Sequence, residues 1–401
     1  MACSEKLPPT VSSWSYFLKY IRLPAYSESE STILLPVVRW SVMVKVAVVN
    51  TSPKTIFDDI ARLMDLAEYQ KYVSKDVVTT IKLNLSWSKF YPACSTNPYV
   101  LDGVLKKMLS DGYVSRRIQA VENETVVTNI YEGTRGNNWY PVMRKHRIRF
   151  LPLIKAHYVP VKLPRKTLAL EDIFGEVIAP KEIFGTNIMH LPTIKTHGHT
   201  EMTGALKDSF GLYLTKNRHL AHLRIHEVLV DLLLLQKTIS HSEFVVTDGT
   251  IVGDGAGPRT MIPKVGNILL ATHDMVAADT VQTRIMGIDQ RLVRKLQLAK
   301  EWGLGESDPD KIEIVGDYES WDDLPNFHLR TGRSPVIAWN RGFLRFPGME
   351  WLLFRSPLMW LPTQLSGLYH DGIWLPLKGK KWVKWFFEET EWGKLWQNYS
   401  E

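Results

Sequence analysis

From Met43 onward the chain alternates short apolar runs rich in β-branched residues with longer stretches whose apolar positions recur every three or four residues. VKVAVV reads as a buried first strand, followed by a helix over 56–66. VVTTIKLN (77–84) reads as a second strand, followed by a helix from about Pro98 to Ser110, and RIQAVE (117–122) as a third strand. Residues 133–185 break this rhythm: they are basic, carry Pro152, Pro160, Pro164 and Pro180, and read as an irregular insertion. The pattern resumes with NIMHLPTIK, a strand running into a polar loop, and a long apolar helix from about His219 to Lys237. Strands FVVTD (244–248) and NILLATHD (267–274), helices over 276–286 and 290–302, and a last strand IEIVGD (312–317) complete it. Strands alternating with amphipathic segments of this length predict βαβ units. The expected fold is therefore α/β, with a mostly parallel sheet, helices on both faces and two lobes around a cleft. Such sheets bind ligands beyond the carboxyl ends of their strands, which singles out Lys82 and Asn84 after the second strand and Glu122, Asn123 and Glu124 after the third.

This pattern divides the chain into residues 1–42, an α/β domain over 43–333 and a tail over 334–401. The domain has lobes at about 43–132 and 186–320, with the insertion 133–185 between them. Because Met43 opens the first strand, residues 1–42 read as a loosely attached N-terminal extension or as a product of start-codon choice. The tail concentrates eight of the 14 tryptophans, interleaved with Lys and Arg. Its end, KKWVKWFFEETEWGKLWQNY, sets Trp382, Trp385, Phe386, Trp396 and Tyr399 near one helical face. A stripe of this kind packs on the protein's own core, or rests on an anionic membrane or another subunit.

Composition narrows the function classes. With 45% hydrophobic and 23% charged residues the chain is globular rather than disordered. The formal charge of +7 favours an anionic ligand or surface, but Lys and Arg are dispersed and no basic block predicts nucleic-acid binding. The richest apolar run, Val228 to Leu235, is broken by Asp231 and is too short for a bilayer, and no secretory signal is recognisable. Only Cys3 and Cys94 are present, which excludes a Cys-x-x-Cys zinc site or an iron–sulfur cluster on the chain's own cysteines. A reducing, cytoplasmic setting is the expectation.

The densest chemistry lies in LPTIKTHGHTEMTGALKDSFGL, where Lys195, His197, His199, Thr200, Thr203 and Lys207 supply two ammonium groups, two imidazoles and two hydroxyls. At a strand–loop–helix junction these groups, with the free N–H donors of the helix, would face an anion. A lysine beside an imidazole can hold a carboxylate or phosphate while the histidine moves a proton near neutral pH. Seven of the 12 histidines fall between His190 and His241, and His219, His222 and His226 share a helical face. No His-Glu-x-x-His motif accompanies them, so no protein-ligated metal is expected. DGTIVGDGAGP superficially resembles a dinucleotide fingerprint, but Pro258 and another strand follow where a helix is needed. It reads as a glycine-shaped loop that brings Asp248 and Asp254 to the ligand. Asp274 and Asp279 flank a strand–helix junction, where helix capping is the simpler role.

Together, IKLN (81–84), STNP (95–98), PTIKTH (192–197), TGALKDSFG (203–211), DG…GxGP (248–258), HDMVAAD (273–279) and EWGKLWQNY (391–399) resemble the domain-of-unknown-function family 362. The likeness spans about 43–320 and extends less specifically into the tail. It implies Lys195, His197, Lys207, His226, Asp248, Asp274 and Asp279 as signature positions. Asp208 stands where the family usually has Asn. Many members carry a cysteine-rich, ferredoxin-like segment and an iron–sulfur label; this chain lacks those cysteines. In fold and charge only, the layout is also similar to the nickel-pincer lactate racemase family, with no residue-by-residue match to its catalytic signature.

The resulting expectation is an enzyme that binds a small anionic substrate and moves a proton. His197, Lys195 and His199 would be catalytic; Lys82, Asn84, Thr203, Lys207, Asp248 and Asp254 would bind substrate. No metal ligands are assigned and the cofactor is left open. The alternative is a non-catalytic protein that holds a metal, a cofactor or a redox-linked ligand for a partner. Contact with a membrane or subunit through the Trp-rich tail is a further expectation.

Overall fold

The computed structural model describes residues 43–400 apart from 126, 344, 345, 347, 350, 353–355 and 357–359, so the expected extension over 1–42 lies outside the described residues. The strands are β1 (Val44–Asn50), β2 (Thr79–Leu83), β3 (Ile118–Glu122), β4 (Arg149–Pro152), β5 (Tyr158–Pro160), β6 (Ile178–Pro180), β7 (Asn187–Leu191), β8 (Thr193–His197), β9 (Glu201–Met202), β10 (Ser242–Ala256), β11 (Thr260–Thr272) and β12 (Ile312–Gly316). The helices as far as the last strand are α1 (Ile56–Leu66), α2 (Tyr69–Tyr72), α3 (Pro98–Ser110), α4 (Ile130–Gly136), α5 (Trp139–His146), α6 (Leu170–Phe174), α7 (Gly204–Tyr213), α8 (Ile225–Ile239), α9 (Met275–Met286) and α10 (Arg294–Glu301). The tail adds α11 (Pro335–Phe343), α12 (Trp360–Gly367), α13 (Lys380–Glu389) and α14 (Glu391–Gln397).

One sheet of ten strands organises the molecule, in the order β12-β1-β11-β10-β7-β2-β3-β4, with β8 paired to β10 and β9 to β8. Pairing is parallel except for β1 with β11, β11 with β10, and β8 with β9. Because β1 inserts beside β11 and β2 beside β7, the two predicted lobes share this sheet. Both faces are covered. Ala47 and Val49 of β1 enter the core beneath α1, α3 and α5, and Val46 and Val48 enter the opposite core beneath α7, α9 and α10. That alternation is the two-residue period of a strand buried on both sides.

Three stretches depart from the sequence reading. The insertion is not irregular throughout, since α4 crosses into it, α5 lies within it and β4 extends the sheet beside β3, with Gln119 opposite Arg149. Pro152 closes that outermost strand, where a missing N–H breaks no ladder. The glycine-rich segment 249–258 is not a loop: β10 runs through it to Ala256 and returns as antiparallel β11. Its glycines serve close packing, because a Cβ at Gly253 would overlap Met261 and press on the Cβ of Lys195. The tail stripe packs on the protein's own core, where Phe386, Trp392 and Trp396 are buried and Trp382, Trp385 and Tyr399 lie against them. The Trp392 indole donates to Asn267 Oδ1 at 2.7 Å and Tyr399 Oη donates to Asp102 at 2.8 Å.

The N-terminus of α7 also differs from expectation. Its first N–H groups are not free for a ligand, because the buried carboxylate of Asp279, on α9, accepts from Ala205 N at 2.5 Å and pairs with Lys295 at 2.8 Å. Asp274 caps α9 itself, accepting from Val276 N and Ala277 N. Gly204 makes the Asp279 contact feasible: its φ is +86° and any Cβ there would overlap the carboxylate. Gly204→Ala is therefore expected to lower stability by about 1–3 kcal/mol from backbone strain alone, with the steric overlap adding to it; a urea melt indistinguishable from wild type would contradict this packing.

Candidate functional site

The carboxyl ends of β2, β3 and β7 bring Lys82, Glu122 and His190 side by side, since Lys82 is in register with Val121 on one side and His190 on the other. Each is buried, and α7 lies across them. Lys82 Nζ donates to Glu122 Oε2 at 2.6 Å and to Asp208 Oδ1 of α7 at 3.3 Å. Asp208 Oδ2 is 2.9 Å from His190 Nδ1, and His190 Nε2 is 2.9 Å from Gln236 Oε1 of α8. Burial pushes the Glu122 carboxyl above its ordinary range and the Lys82 charge pulls it back, so the cluster is charge-compensated but tightly poised.

Above this floor is a cavity of about 250 Å³. Its walls carry Lys82, Asn84, Glu122, His197, His199, Thr203, Lys207, Asp208, Arg218, His219, His222 and Arg259, together with apolar Leu85, Val127, Phe210 and Ile337. Lys207 differs from its neighbours. Among the described residues its ammonium has no hydrogen-bond or ion-pair partner, and it lies 3.9 Å from the centroid of the Phe210 ring. Burial, with Arg218 and Lys295 nearby, pushes its pKa down to about 7. Arg218 is buried and bound through one guanidinium nitrogen to the Glu124 carbonyl, yet its Nε has no partner among the described residues. Burial lowers its pKa only to about 10, so it stays cationic.

Two of the imidazoles are kept neutral. Burial, reinforced by Lys207 and by neighbouring rings, pushes His197 and His222 well below the ordinary histidine range. The backbone N–H of His199 donates to His197 Nδ1 at 3.1 Å, which places the His197 proton on Nε2. His222 Nδ1 lies 3.0 Å from the His219 carbonyl, an arrangement that requires Nδ1–H and leaves Nε2 as an acceptor. The His199 ring centroid is 4.6 Å from that of His222 and 5.9 Å from that of His197. The site thus offers a neutral donor, a neutral acceptor and an amine that titrates near pH 7.

Of the residues picked from the sequence, Lys82, Asn84, His197, His199, Thr203 and Lys207 line the cavity. Lys195, Asp248 and Asp254 do not. The ammonium of Lys195 is buried behind the wall, bonded to Asn84 Oδ1 at 2.5 Å, to the Cys94 carbonyl at 3.0 Å and to the Thr193 hydroxyl, and burial lowers its pKa to about 8. Asp248 is buried against Asn97 Nδ2 at 2.7 Å and the N–H and hydroxyl of Thr250. Asp254 pairs with Lys264 at 2.6 Å and accepts from Arg330 N. Both fall outside the cavity because β10 continues as a strand where a ligand-facing loop was expected. Conversely, Arg218, Arg259, Asp208 and His222 were missed as site residues. So were Ser334, Ile337, Ser366 and His370, which the tail brings to the cavity wall. Sequence carried one signal for them, the clustering of His219 and His222 with Arg218 ahead of a long helix.

The signature pattern of the family described as Domain of unknown function (DUF362) matches residues 79–284. The chain belongs to this family. The matched stretch contains the whole Lys82–Glu122–Asp208–His190 cluster and every charged residue named in the cavity wall. A thylakoid-associated protein of Synechocystis sp. is 27% identical over 165 residues, which is 39% of this chain and 50% of that protein. The chain thus spans about half the length of the curated relative it matches. The iron–sulfur cluster often attributed to DUF362 proteins does not fit this chain, whose only cysteine besides Cys3 is Cys94, buried and 3.1 Å from the Pro258 carbonyl. Among the described residues no group of three or more His, Cys, Asp or Glu side chains is arranged to hold a metal ion. No helix among them is long and apolar enough to cross a membrane.

The charge cluster yields a stability test. Lys82→Met leaves Glu122 and Asp208 buried against each other, a loss expected to cost about 3–5 kcal/mol in urea unfolding at pH 7. The Glu122 carboxyl, already raised by burial, then loses the Lys82 charge that pulls it back, so its penalty appears as pH rises through its folded-state pKa and shrinks on acidification. The double change Lys82→Met, Glu122→Gln should recover part of the loss; no recovery would mean that the cluster is not electrostatically coupled.

Proposed function

We propose that this protein is an enzyme that binds a small anionic substrate in the cavity and exchanges a proton with it. The observation that carries this reading is the unpartnered ammonium of Lys207 facing the same space as Arg218 and Arg259. Lys207 is half-buried at the cavity wall, and a cation held there beside two further cations, with no ion-pair partner among the described residues, is characteristic of groups kept for a ligand. Arg218, cationic at all physiological pH values, anchors the anion. His197 donates through Nε2–H, His222 accepts through Nε2, and Lys207 carries the proton near pH 7. Beneath the site, the Lys82 charge favours the ionised form of the Glu122 carboxyl against its burial. Lys195, nominated from the sequence for catalysis, acts in this reading as a positioning residue that fixes Asn84 and Thr193.

A non-catalytic holder of the same ligand is the second reading, favoured by the depth of compensation beneath the site. The two are separated by whether a bound small hydroxy acid exchanges its α-hydrogen with deuterated water.

Two measurements test the anion site. Calorimetric titration with phosphate and with lactate should show binding that weakens as pH rises through about 7, because Lys207 adds its attraction to that of Arg218 only while protonated; above that value affinity falls up to about tenfold per pH unit until the Arg218 contribution alone remains. Lys207→Met should remove at least about tenfold of this affinity and abolish the pH dependence; an unaltered profile would sink the proposal. Lys207 has a folded-state pKa below its ordinary 10.5, so the folded state binds fewer protons than the unfolded one between about pH 7 and 10.5. The lysine therefore opposes folding at neutral pH. Lys207→Met is expected to raise the Tm at pH 7, and the difference from wild type should vanish as the pH approaches 10.5; a lower Tm would mark Lys207 as structural.

A further inference from the structure

The tail segment that lines part of the cavity has two unlike faces. After α12 the chain continues without a break into a π-helix, Leu368–Gly379. Along this combined rod Pro362, His370, Trp374 and Gly379 are buried, and Ser366 and His370 line the cavity. Trp374 packs 5.3 Å from Tyr91, and the Trp87 indole donates to Asp371 at 2.8 Å, so the inner face is fixed to the domain. The outer face carries Leu361, Leu365, Leu368, Ile373 and Leu377, with Trp360 at its start. These side chains recur at the helical interval, lengthening to five residues where the π-helix widens the turn. All are solvent-exposed: Leu368 at 61%, Trp360 at 64% and Leu377 at 77%. Scattered exposed leucines are ordinary, but an unbroken apolar stripe on a helix anchored by its other face is not.

The charge around the stripe identifies its occupant. Immediately beyond Leu377 come Lys378, Lys380, Lys381 and Lys384, all exposed. Lys384 pairs only loosely with Glu388, at 3.7 Å between exposed ends. An apolar stripe that begins in tryptophan and ends in lysines matches a bilayer interface, with leucines in the acyl boundary, the indole at headgroup level and ammonium groups on phosphates. We propose that the protein docks on an anionic lipid surface through the outer face of residues 360–377, with Lys378, Lys380 and Lys381 on the headgroups. This differs from the Trp382, Trp385 and Trp396 stripe expected from the sequence, which is occupied by the protein's own core.

The test is co-flotation of the full chain with vesicles. Wild type should float with vesicles of equal parts phosphatidylcholine and phosphatidylglycerol, and less with pure phosphatidylcholine. Leu365→Glu with Leu368→Glu should reduce partitioning by more than about tenfold and leave the melting curve unchanged, because neither residue is buried. Lys378→Glu, Lys380→Glu and Lys381→Glu together should remove the preference for phosphatidylglycerol. The proposal is overturned if wild type does not float, or if the leucine variant floats as well as wild type. It is equally overturned if wild type is a dimer that this variant dissociates while neither binds vesicles, since the stripe would then be covered by a second copy.

Discussion

The structure around the cavity depends on one buried ionic contact, that of Lys82 with Glu122 and Asp208. Lys82 comes from β2, Glu122 from β3 and Asp208 from α7, and Asp208 passes the contact on to His190 of β7 and Gln236 of α8. Five elements are thereby tied at the carboxyl edge of the sheet. Ions at this depth are costly unless every partner is in place, so the cluster constrains the relative position of the helices more sharply than the apolar contacts beneath it.

The contrast between Lys82 and Lys207 gives the cavity its chemistry. They stand on opposite sides of Asp208, one in sequence and the other across the sheet edge, but only Lys82 has carboxylates within reach. Asp208 is spent on Lys82 and His190, and Asp279, the other buried acid near α7, is spent on Lys295 and the helix N-terminus. Lys207 is left against Phe210, an aromatic face that tolerates a cation without neutralising it. Desolvation, reinforced by the Arg218 and Lys295 charges and only partly offset by Asp208, then brings its pKa down to about 7. His197 and His222 stay uncharged because burial, reinforced by the Lys207 charge, disfavours a second cation in that space.

The tail is part of the site as well as of the core. Ser334 and Ile337 border the cavity ahead of the apolar rod, Ser366 and His370 on the rod border it again, and Phe386, Trp392 and Trp396 bury the end of the chain beside α3. An aromatic-rich segment thereby divides its side chains among cavity, core and solvent.

The sequence by itself determined β1, β2, β3, β7 and β12, the helices α1, α3 and α9, and the carboxyl-edge placement of Lys82 and Glu122. Each of these follows from local periodicity and from the rule that parallel strands present their ends to one side. It also located Lys207 and His197, since dense charge beside a strand end has few structural uses. It could not show that Lys195 is buried among Asn84, Cys94 and Thr193, nor that Asp248 and Asp254 lie in a continuous hairpin. A charged residue's role depends on whether partners from distant positions reach it, and Asp279 reaches α7 from more than seventy residues away. The same holds for the tail. Periodicity marks Trp382, Trp385 and Phe386 as members of one apolar face, and only the folded packing decides that this face is covered while Leu365 and Leu368 are left exposed.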